Sequence, residues 1–347
     1  MEILSRLRLS GIVVTDMKNI RYLSGFTGSD GALVVGESGA MFLTDGRYTT
    51  QAAGEVTSFP VTEYRNKIQG IVDAVGALKM KRVGVESHAM SLFFFKAIKS
   101  RLPGRGVVPV EEDLALLRMV KDHDEIDAIR ESIRISEESF EQVTQLITAG
   151  TREDEIAVEL EYAMKKRGSG VLPFPIIVAA GKNGALPHAH AGARRLEAGS
   201  LVTIDFGAQY RGYHSDQTVT VMVGRDGGKE REVHGVVLEA QRRAIAGVRP
   251  GVPTKDVDAI ARDYIKDRGY GEYFTHGTGH GVGLDVHEPP AVSPLGKEVL
   301  QEGMIVTVEP GIYIPGWGGV RIEDMVLVEK TAPCILTTVP KSFRVLS

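Results

Sequence analysis

A single cysteine, Cys334, is all the thiol chemistry in the 347 residues. That excludes an intrachain disulfide and a thiolate metal cluster, and the residue reads as a small buried hydrophobe. No run of five or more basic residues occurs, and the formal net charge is −4, so neither nucleic acid nor an acidic membrane surface is an expected partner. No apolar stretch reaches the roughly 20 residues of a membrane span. The start, MEILSRLRLSGIVV, lacks the basic region followed by an apolar core that marks a signal peptide, and a cytoplasmic location is expected. Low-complexity tracts are absent. So are a G-x-S-x-G nucleophile elbow and a helical H-E-x-x-H zinc motif, and a dinucleotide loop fails because Val282 stands where the third glycine would fall after Gly277 and Gly279.

The composition is that of an ordinary globular protein, with 43% hydrophobic and 25% charged residues, and the length calls for two domains. Up to about Val110, apolar runs (GIVVTD, GALVVG, AMFLTD, KRVGVES, GVVPV) alternate with helical stretches such as Met90 to Ser100, which predicts an α/β layered domain. Beyond it, Ile126, Ile129, Ile133 and Phe140 recur at helical spacing among charges. The boundary falls between Glu112 and Asp124, giving domains of residues 1–118 and 119–347.

The chemistry concentrates in the second domain. LVTIDFGAQY and MIVTVEP are β-rich runs carrying Asp205 and Glu309, and GGVRIEDMVLVEK carries Glu323. Asp216 follows Asp205 after the turn signal Arg211-Gly212-Tyr213, so a hairpin is expected to bring the two aspartates face to face. Any one acid alone reads as a strand-end carboxylate paired with a basic residue. Four of them converging with His280 would repel one another unless divalent cations neutralised them, which predicts a two-metal hydrolytic centre. Carboxylates with one imidazole favour harder or borderline ions: Mn²⁺ first, with Co²⁺, Fe²⁺ or Zn²⁺ able to take the same geometry.

A faint duplication runs through this domain. Aligning Gly150 with Gly251, an offset of 101, sets Lys165, Arg167, Gly168 and Gly170 on Lys266, Arg268, Gly269 and Gly271, and Ile156 and Met164 on Val257 and Ile265. Each segment reads as a helix closed by a glycine stop, followed by a histidine and then two acids: His188, Asp205 and Asp216, then His287, Glu309 and Glu323. Chance similarity of two amphipathic helices is the plainer reading, but the matched order favours a pseudo-two-fold pair of α+β units. His276, His280 and His287 crowd into THGTGHGVGLDVHEPP and read as substrate-binding. Gly279 and Gly281 are expected to let the backbone around His280 approach a metal closely.

ALPHA, IDFGAQYRGYHSDQT, HGTGHGVGLDVHE, TVEPGIYI and VRIED, in that order and spacing, resemble the metallopeptidases of the pita-bread fold, which include methionine aminopeptidase, aminopeptidase P and prolidase. NIRYLSGFTGSDGALVV with LTDGRYTTQA resembles the creatinase-like N-terminal domain found in aminopeptidase P and prolidase. The resemblance implies a creatinase-like α/β domain before an α+β pita-bread catalytic domain, and hydrolysis of Xaa-Pro bonds in proline-containing peptides by a metal-bridging water or hydroxide. It implies that Asp205 binds one ion, His280 and Glu309 the other, and Asp216 and Glu323 both. Glu309 would also shuttle the proton to the leaving nitrogen. His188 and His287 would contact the scissile peptide and its developing oxyanion, and His276 and Arg321 would line the proline side. Relatives in this group are commonly dimers, so a homodimer is expected.

Two departures stand out. Val219 replaces a basic residue that often follows SDxT, with no ligand lost. Ala291 follows His287-Glu288-Pro289-Pro290 where some dipeptide-restricted prolidases place an arginine that reads a free carboxylate. The residues thus lean to aminopeptidase P, with prolidase as the alternative. Metal-free creatinase-like chemistry and a silent peptide-binding module are more remote, because both sit poorly with five intact ligand positions.

Overall fold

The computed structural model describes residues 2–110, 114–225 and 227–347. Glu112 and Asp113, at the start of the expected boundary segment, lie outside the described residues. The chain divides into two compact units, Met1–Arg118 and Met119–Ser347.

In the first unit six strands form one mixed sheet, in the order Val61–Glu63, Gly39–Thr44, Ala32–Gly36, Gly11–Val14, Arg82–Glu86, Gly106–Val110. Alternate side chains of a strand face opposite ways, and both faces are covered. Val13, Val34, Val83 and Val85 pack with Ile71 and Ile98 of the helices Lys67–Ala77 and Leu92–Arg101. Ile12, Val14, Leu33 and Phe42 pack with Ile20 and Ala52 of the helices Met17–Ser24 and Thr49–Glu55. Five of the strands match the apolar runs. The sixth, Val61–Glu63, is a three-residue edge strand with two exposed positions, too short and polar to show as a run. The helix expected from Met90 begins at Leu92, because the Ser91 side chain accepts from Phe94 N at 3.2 Å and caps it.

In the second unit, Asp122 and Glu125 form a reciprocal capping box that starts the helix His123–Val143. Ile126, Ile129, Ile133 and Phe140 are all buried on its inner side. The duplication is visible in three dimensions. The helices Glu153–Lys166 and Thr254–Asp267 are both 14 residues long. Ile156, Met164, Val257 and Ile265 are each fully buried. Gly168 and Gly269 follow them at φ 90° and 84°, the left-handed conformation that stops a helix. Each helix leads into an antiparallel three-strand set: Ile177–Ala180, Leu201–Phe206 and Gln217–Val223 in one sheet, and Gly279–Gly281, Ile305–Val308 and Asp324–Leu327 in another. Among the described residues no helix is long and apolar enough to cross a membrane.

Candidate metal centre

The hairpin after Asp205 forms as expected. Gln209–Tyr210 pairs with Tyr213–His214 across Arg211 and Gly212, both at positive φ (47° and 79°) as a two-residue primed turn demands. The register sets Asp205 opposite Thr218. Asp216, two residues before Thr218, is therefore a diagonal neighbour of Asp205 on the same face of the sheet, rather than its direct partner. Val219 turns to the other face and is buried in the core of this unit, so the missing basic residue leaves the cleft untouched.

Of the four acids only Asp205 lies inside a strand. Asp216 immediately precedes Gln217–Val223, Glu309 links Ile305–Val308 to Gly311–Ile314, and Glu323 links Gly318–Arg321 to Asp324–Leu327. The last two sit where the chain leaves one sheet for another, and each crossing is tied down. Glu309 N donates to Thr278 O at 2.7 Å, and Glu323 N to Thr218 O at 3.1 Å.

A cleft of about 360 Å³ is lined by all nine residues singled out in the sequence: His188, Asp205, Asp216, His276, His280, His287, Glu309, Arg321 and Glu323. His280 Nδ1 is 3.0 Å from Gly281 O, which fixes the ring and turns Nε2 into the cleft, 3.2 Å from Glu309 Oε1 and 3.7 Å from Asp216 Oδ2. Three triads bring potential ligand atoms within 4.8 Å of one another: Asp216, His280 and His287; His280, Glu309 and Glu323; Asp205, Asp216 and Glu323. Thr218 Oγ1 donates to Glu323 Oε2 at 2.8 Å and Thr307 Oγ1 to Glu309 Oε1 at 3.2 Å, holding both glutamates from outside. His188 and His287 are exposed at the rim, and the His287 ring stands 4.3 Å from that of His280.

The glycines beside His280 admit neighbouring backbone. A Cβ on Gly279 would lie 1.9 Å from Thr307 O and one on Gly281 2.3 Å from Pro289 O. The close approach expected toward a metal is thus made by the strands themselves.

Arg321 lines the cleft, yet its donors go to the protein: Nε to Thr218 Oγ1 at 3.1 Å, Nη1 to Pro187 O at 3.0 Å and Tyr313 OH at 2.9 Å, Nη2 to Asp205 Oδ2 at 2.6 Å. His276 is similarly engaged, Nδ1 with Gly277 O at 2.7 Å and Nε2 with Tyr313 OH at 2.9 Å. Phe174, Pro175 and Ile177 add apolar side chains to the lining of the same cleft. Tyr313, Thr218, Thr307 and these three apolar residues went unread in the sequence. A hydroxyl on a strand looks like any other, and only the proline-flanked LPFPIIV offered a signal.

The electrostatics fit divalent cations. Asp205 Oδ1 is buried without a hydrogen-bond partner, an orphaned acceptor that a cation satisfies. Burial first, then repulsion from Glu323, Asp205 and Glu309, pushes Asp216 well above the usual carboxylate range. Burial and repulsion from Glu309 and Asp205 do the same to Glu323. Burial would raise Glu309 as well, but its hydrogen bond to His280 and the charge of His280 draw it down to about 2. A cation held by Asp216 and Glu323 would therefore compete with protons there.

The direction of the pH effect follows. A carboxyl group whose folded pKa is raised stabilises the fold below its unfolded pKa and loses that contribution as pH rises through the folded pKa. Metal-free protein should thus weaken relative to metal-loaded protein as pH climbs. The gap in Tm between Mn²⁺-loaded and metal-free protein is expected to widen from pH 5 to pH 8, read by scanning calorimetry. A constant or shrinking gap would contradict proton–metal competition at these acids.

Comparison with known proteins gives a consistent picture. Residues 127–330 match metallopeptidase family M24, and residues 1–120 match the creatinase/prolidase N-terminal domain. The chain is 37% identical over 338 residues to a Xaa-Pro dipeptidase of Pyrococcus horikoshii, covering 97% of this chain and 95% of that one. The solved Xaa-Pro dipeptidase from Bacillus anthracis superposes with a TM-score of 0.97 at 38% identity, over 99% of this chain and 97% of that one. An X-Pro aminopeptidase from Thermotoga maritima superposes at 0.91 with 40% identity, over 99% of each chain.

Proposed function

The chain belongs to the Xaa-Pro peptidase branch of metallopeptidase family M24, a branch of hydrolases, and on that premise we propose that its preferred substrates are Xaa-Pro dipeptides. The observation that carries this is the near-complete superposition on the Bacillus anthracis Xaa-Pro dipeptidase, supported by the archaeal dipeptidase sequence. These relatives favour prolidase activity over the aminopeptidase P activity to which the residues lean. Aminopeptidase P stands as the second reading. Ala291, exposed on the strand Glu288–Val292 opposite His280, supplies no cation for a free carboxylate, and the Thermotoga maritima relative is an X-Pro aminopeptidase.

In this reading Asp205 would hold one divalent ion, His280 and Glu309 the other, and Asp216 and Glu323 would serve both. Mn²⁺ is proposed on the hardness of the donor set. When bound, the ions supply Lewis acidity to the scissile carbonyl and acidify water. The chain's own groups do the rest. Glu309 takes the proton of the attacking water at a carboxylate oxygen and delivers it to the leaving proline nitrogen. His188 and His287, at the rim, donate to the oxygen that gains charge. Phe174, Pro175, Ile177 and the His276 ring hold the proline ring by apolar contact.

The test is hydrolysis of the matched pair Ala-Pro and Ala-Pro-Ala by Mn²⁺-reconstituted protein. Faster release of alanine from the dipeptide is expected. Cleavage of the tripeptide with little on the dipeptide would make it an aminopeptidase P, and no cleavage of either would remove the Xaa-Pro reading.

A further inference from the structure

Successive residues of extended chain point to opposite sides. As Asp216 and Glu323 face the cleft, their neighbours Gln217 and Asp324 lie behind it, both buried. They meet there on one cation, Lys341. Its Nζ is 3.2 Å from Gln217 Oε1 and 3.5 Å from Asp324 Oδ1, on a side chain only 7% exposed. Asp324 Oδ1 also accepts from Thr337 Oγ1 at 2.6 Å, and Oδ2 accepts from Gln241 Nε2 at 2.7 Å. The same Gln241 nitrogen is 3.5 Å from the carbonyl of Val308, the residue before Glu309. Gln217 Nε2 donates to Ser136 Oγ at 3.2 Å. One buried polar layer thus touches the chain neighbours of three cleft acids. A buried carboxylate such as Asp324 demands a counter-charge. The guanidinium at the front, Arg321, is committed elsewhere, to Asp205. Lys341 comes from the segment whose Val345–Leu346 pairs in parallel with Met222 and Val223, at the far end of the Gln217 strand.

We propose that Lys341 is a positioning residue for the metal centre: by clasping Gln217 and Asp324 from behind, it fixes Asp216 and Glu323 where they hold metal. This rests on the reading that Asp216 and Glu323 are ligands. It is tested on the full chain with Lys341→Met, which keeps the length of the side chain and removes its charge. Mn²⁺ affinity is read by titration calorimetry, the ligand field by the visible spectrum of the Co²⁺-loaded protein, and folding by the Tm of the metal-free protein. Mn²⁺ binding about 10- to 100-fold weaker than wild type, the range that outer partners of metal ligands command, with an altered Co²⁺ spectrum, is expected. Affinity within twofold of wild type and an unchanged spectrum would overturn the proposal even if Tm fell, because Lys341 would then serve the fold alone. Should Lys341→Met not fold, Lys341→Gln is measured by the same criteria. If wild-type protein binds neither ion, the ligand reading itself fails, a result separate from equal binding by wild type and variant.

Discussion

Replacing Asp216 by alanine is expected to abolish hydrolysis and to empty the cleft of metal. Asp216 belongs to two of the three triads of converging ligand atoms, one with His280 and His287 and one with Asp205 and Glu323, so its loss takes an oxygen from both sides of the site. The effect should exceed the roughly 100-fold reached when an outer partner of a ligand is lost. Metal content by elemental analysis and turnover on Ala-Pro are the readouts. The metal-free variant should not be less stable than the metal-free wild type in proportion, because the deleted carboxyl is one that burial and its neighbours already disfavour as an anion. Full activity in Asp216→Ala would refute the ligand assignment.

That prediction could be framed from sequence because the acids announce themselves: a charge in an apolar β-rich run is costly, and four such costs in order need a common cause. The hairpin was legible for a similar reason, since Gly212 suits by residue type the positive φ its turn demands, although Arg211 adopts the same conformation against its type. Register was not legible. Whether Asp205 faces Asp216 or Thr218 depends on how many residues the turn consumes, and a shift of one residue reverses every face. Nor could sequence show that Arg321 spends its donors on Thr218, Pro187, Tyr313 and Asp205, or that the glycines beside His280 serve strand approach, for these are contacts between segments distant in the chain. The three-residue strand Val61–Glu63 has too little apolar pattern to be seen at all.

His188→Ala is the second large effect expected: a loss of about a hundredfold or more in turnover on Ala-Pro, the scale of deleting one oxyanion donor, with both ions retained. His188 lines the cleft from an exposed position and belongs to none of the triads of converging ligand atoms. A group that acts on the transition state alone lowers kcat and kcat/KM together. Loss of metal from this variant would show that the histidine supports the ions; a rise in KM with kcat intact would mark it as a ground-state contact.

The two duplicated halves match in helix length and strand order, but not in what they offer. The offset that superposes the helices sets His280 on Ala179, and Asp205 is met by the guanidinium of Arg321 while Glu309 is met by an imidazole. A cleft with true two-fold symmetry would accept a peptide in either of two opposite directions with equal ease, and half of all encounters would present the wrong end. The inequality of the halves would give a bound peptide a direction, its amino and carboxyl ends distinguished by which half they meet.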